Sequence, residues 1–334
     1  MGWNPGQKAA MSQVMLKTDP GAYFYGRLEQ EQEQGQEKNG RAMVVKEKGR
    51  EKVALEDDRS IVSMISAIRF GDDQAWLGYY ITEEQHRGKG YGLAIFNHAL
   101  EHLGGPSRKS IGLNAVMSQV PNYQKSGFTQ SSWTNERRRG PASDIVEGVH
   151  DRELAKKIAR GEVDGVVLLS DPRVDWDQLH RMEKQYTGFD RPEFIKSWAD
   201  YHANGDPSAH RIGVAILSTT STCPISKKPL LLGYTCARPA MVSYRIGPLY
   251  ATDGEIARQL LVKLAVEVIA AEKRSPMRVP LVFDIDIVQE NTAAVAMFDR
   301  MGWPNLISSL RMWKGVVPPY DASGCFGIAT AEAG

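Results

Sequence analysis

Residues 75–105, AWLGYYITEEQHRGKGYGLAIFNHALEHLGG, change their hydrophobic period across one glycine-rich turn. AWLGYYIT is apolar and aromatic and reads as a strand ending at Thr82. Beyond the turn, Leu93, Ile95, Phe96, Ala99, Leu100 and Leu103 recur at helical spacing, and Gly104-Gly105 closes the helix. A strand that passes into a helix through Gly88, Gly90 and Gly92 requires an α/β arrangement in which a helix N-terminus opens at a strand end. Such a terminus carries unpaired N–H groups and a partial positive charge. Glycines let the backbone approach an anion with no Cβ in the way. The turn therefore reads as a phosphate cradle. It is not a P-loop, because Gly90 leads into Tyr91 where Gly-Lys-Ser or Gly-Lys-Thr is needed. A dinucleotide turn needs Gly-x-Gly-x-x-Gly, and the spacing here is Gly88-x-Gly90-x-Gly92.

The rest of the first half alternates in the same way. Strands are expected over 21–28, 60–69 and 110–117, and helices over 5–16 and 121–127. Residues 29–52 are charged and of low complexity, which leaves a solvated loop or an extended hairpin tip. Arg137, Arg138 and Arg139 ahead of Gly140-Pro141 read as a solvated strand end and a boundary. A connecting helix within 144–160 leads to a second α/β run. Its frame repeats the first: LNAVMSQVPNYQKSGF and FDIDIVQENTAAVAMFDRMGW both give strand, short helix, aromatic, three residues, glycine, aromatic. Tyr123 precedes Gly127-Phe128 as Phe298 precedes Gly302-Trp303.

Gln85-His86-Arg87-Gly88-Lys89-Gly90 resembles the Gln/Arg-x-x-Gly-x-Gly/Ala signature of the GNAT superfamily of N-acetyltransferases, and NYQKSGF is similar to that family's downstream helix. The resemblance covers most of residues 2–139 and recurs more faintly over 164–316. GWNPG near the start is similar to one subgroup of tandem GNAT proteins. It implies two GNAT-like domains of α/β (α+β) class, each a mixed, mostly antiparallel twisted sheet flanked by helices. The expected division is 1–140 catalytic domain, 141–163 connecting segment, 164–317 degenerate domain and 318–334 C-terminal tail. The donor implied is acetyl-CoA. Tyr80, Ile81 and Thr82 would pair with its pantetheine arm, and Arg87, Gly88, Lys89, Gly90, Tyr91 and Gly92 would cup its pyrophosphate. Tyr123 matches the tyrosine that protonates the departing thiolate. One departure is that the chain starts almost on the first helix, so the first domain lacks its first strand or borrows one.

Acyl transfer to an amine with a pKa of about 10.4 also needs a group to take its proton. Glu83 and Glu84 lie nearest the acetyl site in sequence. Strand alternation sends Tyr79 and Ile81 to one face and Tyr80 and Thr82 to the other. Asp284 and Asp286 share a strand face; they hold a cationic substrate if that face meets the cleft and are otherwise a wet polar face. Trp3, Asn4 and Tyr79 are further candidates for the acceptor side. His98 and His102 stand four apart, but no third ligand is apparent, so no metal is expected. In the second copy, RIGPLYATDGEIARQ stands where the cradle should be and Phe298 replaces the tyrosine, so that half is read as having lost acetyl-CoA chemistry.

A net charge of +1 gives no electrostatic case for nucleic acid or an anionic membrane. Three cysteines without zinc spacing, and no long apolar run, suggest a cytoplasmic protein. The expected activity is N-acetylation of a small-molecule amine by direct attack in a ternary complex. The alternatives are a protein lysine or N-terminal acetyltransferase, and a non-catalytic acyl-CoA sensor or interaction module.

Overall fold

A computed structural model describes residues 14–30, 41–47, 61–148, 151–204, 207–277 and 279–334. The first half comprises helical residues 14–18 (α1), β1 (Tyr23–Gln30), β2 (Arg41–Glu47), β3 (Ile61–Phe70), β4 (Gln74–Thr82), α2 (Tyr91–His102), β5 (Ser110–Val116), α3 (Val120–Lys125) and β6 (Gln130–Pro141). Helices α4 (Ala142–Val146) and α5 (Asp151–Ala159) connect it to the second half. That half runs β7 (Val166–Leu168), α6 (Trp176–Thr187), α7 (Pro192–Ala203), β8 (Ile212–Thr222), β9 (Pro229–Pro239), β10 (Tyr244–Ala251), α8 (Gly254–Arg274), β11 (Val282–Val288), α9 (Thr292–Arg300), β12 (Asn305–Gly315) and β13 (Cys325–Gly327). The charged segment after residue 28 forms the β1–β2 hairpin, and its tip lies outside the described residues.

The duplication is visible in hydrogen bonds. Phe128 N–H donates to the Tyr123 carbonyl at 3.1 Å, and Trp303 N–H donates to the Phe298 carbonyl at the same distance. Gly127 and Gly302, the residues just before Phe128 and Trp303, are both left-handed, with φ of 91° and 70°.

One sheet joins the two halves, in the order β2-β1-β3-β4-β5-β12-β6-β11-β10-β9-β8-β7. β12, from the second half, is antiparallel to both β5 and β6 of the first. β6 in turn pairs with β11. Each half thus places its late strand inside the other's sheet, and residues up to 140 do not close a sheet of their own.

The three arginines lie in this exchange. Arg137 donates to Asp286 at 2.8 and 3.0 Å, and Arg245 donates to the same carboxylate at 2.5 Å. Arg138 bonds Glu136 and Asp299, and Arg139 bonds Asp284. The expected solvated strand end is therefore corrected: β6 is central, Arg137 and Arg138 are buried, and burial is possible because each guanidinium meets carboxylates.

Helix α2 covers one face of the first half through Ile95, Phe96 and Ala99, against Leu77, Ile111 and Phe128. Helix α8 does the same for the second half. The opposite face carries a core shared by both halves, with Trp76, Trp133, Phe189, Trp198 and Trp313.

Candidate functional site

β4 and β5 pair in parallel only from Gln74↔Ser110 to Trp76↔Gly112. Beyond that point the strands part, and no described strand pairs with β4 on its β5 side. β4 contains a bulge at the same place. Tyr79 has φ 46°, unusual for a residue with a side chain, and the pairing with β3 shifts register between Met64 and Ser66. The bulge reverses the alternation. Tyr79 packs with Tyr23 (ring centroids 6.2 Å apart) against the shared core. Tyr80 turns to the helix side, 5.3 Å from Phe96 and 6.4 Å from Tyr123.

The cradle follows directly. Residues 87–90 are exposed, and Gly88 and Gly90 take φ of 74° and 85°. Gly90 is the N-cap of α2 and no side chain caps that helix, so its first N–H groups are open to an external anion. Gly92 sits close to the end of β4: a Cβ there would stand 2.8 Å from Thr82 Oγ1 and 2.9 Å from Tyr80 Oη, so those side chains would have to shift. Arg87 is drawn back onto the strand, its Nε donating to the Thr82 carbonyl at 3.0 Å. Tyr80, Thr82, Tyr123 and the loop therefore converge on the helix side of the parting strands. Burial, and then the neighbouring Tyr80, push the Tyr123 phenol up from its ordinary value, so it stays protonated. Burial likewise raises Tyr80.

Other expected residues are placed elsewhere. Glu83 and Glu84 are exposed on a short helical turn before the loop, where Glu83 accepts from Gln85 at 3.1 Å. Asp284 and Asp286 are buried and engaged by arginines, with Ser243 also donating to Asp284. Burial works to raise Asp286, but Arg245 and Arg137 outweigh it and hold its carboxyl well below the usual range. Trp3 and Asn4 lie outside the described residues. His98 and His102 pack edge-on to Phe24, and no group of three His, Cys, Asp or Glu among the described residues is placed to hold a metal ion. A recess of about 830 Å³, lined by Asp72, Asp73, Lys184, Asp190 and Tyr320 among others, lies at the opposite end of β4 from the cradle.

The second half has the same scaffold with its openings filled. β10 and β11 pair in parallel from Tyr244↔Phe283 to Ile246↔Ile285 and then part. Into that gap runs β13, antiparallel to β10, and Ile328 N–H donates to the Asp286 carbonyl at 3.0 Å. The expected position of the lost cradle is corrected here. RIGPLYA belongs to strand β10, where Gly247 and Pro248 mark a register shift, and the turn into α8 is only Thr252-Asp253. Asp253 accepts from Glu255 and Ile256 N–H, both at 2.9 Å. The helix N-terminus thus already holds an anion, supplied by the chain itself. Phe298 is wholly buried against Trp303 and has no hydroxyl to offer.

The expected tail, 318–334, is a built part of the interior. After β13 it crosses to the parting of β4 and β5, where the Ala331 carbonyl accepts from Trp76 Nε1 and Asn114 Nδ2, each at 3.3 Å. Sequence reasoning missed Glu332, which is buried beside Gly78 and Tyr79. Nothing in ATAEAG distinguishes that glutamate from a solvated one.

With this geometry in place, comparison with known proteins is specific. Residues 23–141 match one acetyltransferase (GNAT) domain family and residues 179–327 match another. Holothin acyltransferase of Pseudoalteromonas sp. (strain SANK 73390) is 23% identical over 273 residues, which is 82% of this chain and 78% of that protein. A putative acetyltransferase from Pyrococcus horikoshii aligns over 99% of this chain and 87% of its own, with TM-score 0.62 and 16% identity. A tandem GNAT protein from the clavulanic acid biosynthesis pathway aligns over 84% and 83%, with TM-score 0.50 and 13% identity.

Proposed function

The chain belongs to the GNAT acyltransferase family, with two domains in tandem, and from that premise we propose that its first half moves acetyl from acetyl-CoA to the primary amine of a small molecule. The observation that carries this reading is the contrast between the two helix starts. The start of α2 has no side-chain cap, and that of α8 is capped by Asp253.

Acetyl-CoA would supply an activated acyl group as its thioester. The N–H groups from Gly88 to Gly92 hold the pyrophosphate, and charge-assisted bonds of this kind are each worth about 1.5–3 kcal/mol. Beyond Trp76, the side of β4 that no described strand pairs would offer N–H and C=O groups to the extended pantetheine amides. The Tyr123 phenol, kept protonated by burial, donates a hydrogen bond to the sulfur as charge develops there. With its pKa raised, the phenol keeps its proton and stabilises the thiolate by hydrogen bonding rather than by complete proton transfer. The amine attacks from the opposite face, so both substrates are bound at once and no acyl-enzyme forms. The second half, with both its openings filled by the chain's own residues, serves as a wall of the acceptor side.

The test is a CoA-release screen over amines, polyamines, amino acids and amino sugars, with calorimetric titration of acetyl-CoA. Micromolar acetyl-CoA binding with turnover of a small amine is expected. Tight binding with no acceptor would favour a sensor, turnover only of peptide or protein amines would move the activity to macromolecules, and a stable acetyl-enzyme would overturn the mechanism.

A further inference from the structure

On the acceptor side of β4, Glu332 is an acidic side chain for which the described residues supply no full set of partners. Glu332 is 4% exposed. Its Oε2 accepts from the Thr330 hydroxyl, and its Oε1 has no hydrogen-bond partner among the described residues. A buried carboxylate oxygen left this way is costly to the fold unless another group reaches it.

Position gives that oxygen its meaning. The Glu332 main-chain carbonyl lies so close to Gly78 that a Cβ there would stand 2.2 Å away. The residue before it spans from Trp76 on β4 to Asn114 on β5, at the point where those strands separate. Glu332 thus approaches the β4 bulge from the face opposite the cradle, Tyr80 and Tyr123. The charged and titratable groups facing it are Tyr23 from β1, Tyr79 from β4, Arg137 from β6, Arg238 from β9 and Arg245 from β10, with Asp286 of β11 between Arg137 and Arg245. Arg238 is held off by Thr330, donating to its hydroxyl at 3.3 Å rather than to the carboxylate. Burial and then Glu332 raise both phenols, so Tyr79 and Tyr23 remain neutral.

Resting on the transferase reading, we infer that Glu332 binds the acceptor's ammonium group through Oε1 and takes its proton, so that the substrates are amines presented to this face in cationic form. The ammonium gives one proton to Glu332. The nitrogen lone pair then forms the N–C bond as the C–S bond breaks and its electron pair leaves with sulfur. The second N–H proton ends on the thiolate, and Glu332 releases the first to solvent. Thr330 is a positioning residue, since its hydroxyl holds the other oxygen and keeps Arg238 at a distance.

The experiment compares Glu332→Gln, Glu332→Asp and Thr330→Val with wild type, using the best acceptor from the amine screen. Glu332→Gln should bind acetyl-CoA within twofold of wild type and lose at least 100-fold in kcat/KM for the amine near pH 7. The loss should shrink toward pH 10, where the amine is neutral without help. Glu332→Asp, which keeps the charge, should recover part of the rate. Wild-type kcat/KM in Glu332→Gln, or a loss that is the same at every pH, overturns this inference alone. A wild-type protein that neither binds acetyl-CoA nor acetylates any amine overturns the transferase reading and this inference together. If Glu332→Gln fails to fold, as seen by lost acetyl-CoA binding and a lowered Tm, Thr330→Val decides. It leaves the charge in place and should shift the pH–rate profile, and an unchanged profile overturns the assignment.

Discussion

Replacing Gly90 with alanine tests the cradle's backbone almost in isolation. Gly90 holds φ 85° and ψ −12° at the start of α2. No neighbouring atom lies within 4 Å of where its Cβ would stand, so side-chain crowding contributes nothing. The cost is conformational: a left-handed residue with a Cβ is disfavoured by about 1–2 kcal/mol. In the free protein the exposed loop relaxes to avoid that strain. To bind pyrophosphate it must return to the cradle shape, because each charge-assisted bond it would otherwise forfeit is worth about 1.5–3 kcal/mol. The smaller of the two sets the loss, so acetyl-CoA affinity should fall by about 1–2 kcal/mol, or about 5- to 30-fold at roughly 1.4 kcal/mol per tenfold. Calorimetric titration of wild type, Gly90→Ala and Asp253→Ala measures it. Asp253→Ala removes the cap of α8 and should lower stability by about 0.5–2 kcal/mol while leaving affinity unchanged. Unchanged affinity in Gly90→Ala, or an equal loss in Asp253→Ala, would refute the assignment of the anion site to the first half.

Tyr123→Phe should lower kcat by more than tenfold with acetyl-CoA affinity preserved, since the ring still packs with Phe96 and Phe128; an unchanged kcat removes its role at sulfur. Asp286→Ala should cost about 3–5 kcal/mol, because it removes the buried carboxylate to which both Arg137 and Arg245 donate; urea unfolding with a change below about 1 kcal/mol would contradict the network's role. The same carboxylate predicts a pH trend. Its folded pKa is depressed, so its stabilisation is fully present above the ordinary value of 3.8 and is lost as pH falls below it toward the folded value. Acid unfolding of Asp286→Asn should accordingly be less steep in that range. Residues 1–141 expressed alone should be insoluble or lack cooperative unfolding, because both neighbours of β6 come from the second half; a sharp transition in that fragment would disprove the need for the exchange.

The cradle was legible in the sequence because every determinant is local: alternate glycines, a preceding strand and a following helical period within 75–105. The duplicated aromatic–glycine frame was legible for the same reason. Strand exchange was not, since β6 and β12 carry the same alternating signal whichever neighbour they pair with. Arg137–Arg139 were misread through composition: three successive arginines suggest solvent, and only the acids across the β6–β11 pair reverse that inference. Asp284 and Asp286 were correctly placed on one strand, but their partners are far away in sequence. The role of Asp253 was hidden because RIGPLYATDGEIARQ does not by itself mark where the strand ends and the helix begins.

The filled and open halves are best understood together through residues 325–334. β13 lies against β10 at the place where, in the first half, no described strand pairs with β4 on its β5 side, and the same segment then reaches Trp76 and Asn114 at the first half's opening. A chain that closes one site with its own backbone therefore carries a side chain into the other at no further ordering cost, because the segment's conformation is already fixed by β13. In the proposed function, this links the filled openings of the second half to the acceptor side of the first. If β10 were free to bind a ligand in the extended manner, β13 would be displaced, and Glu332 with it. The proposed role of the second half in presenting the acceptor side predicts that a substitution that loosens β13, such as Gly327→Val against Ile285, should reduce amine turnover while acetyl-CoA still binds at the intact glycine turn.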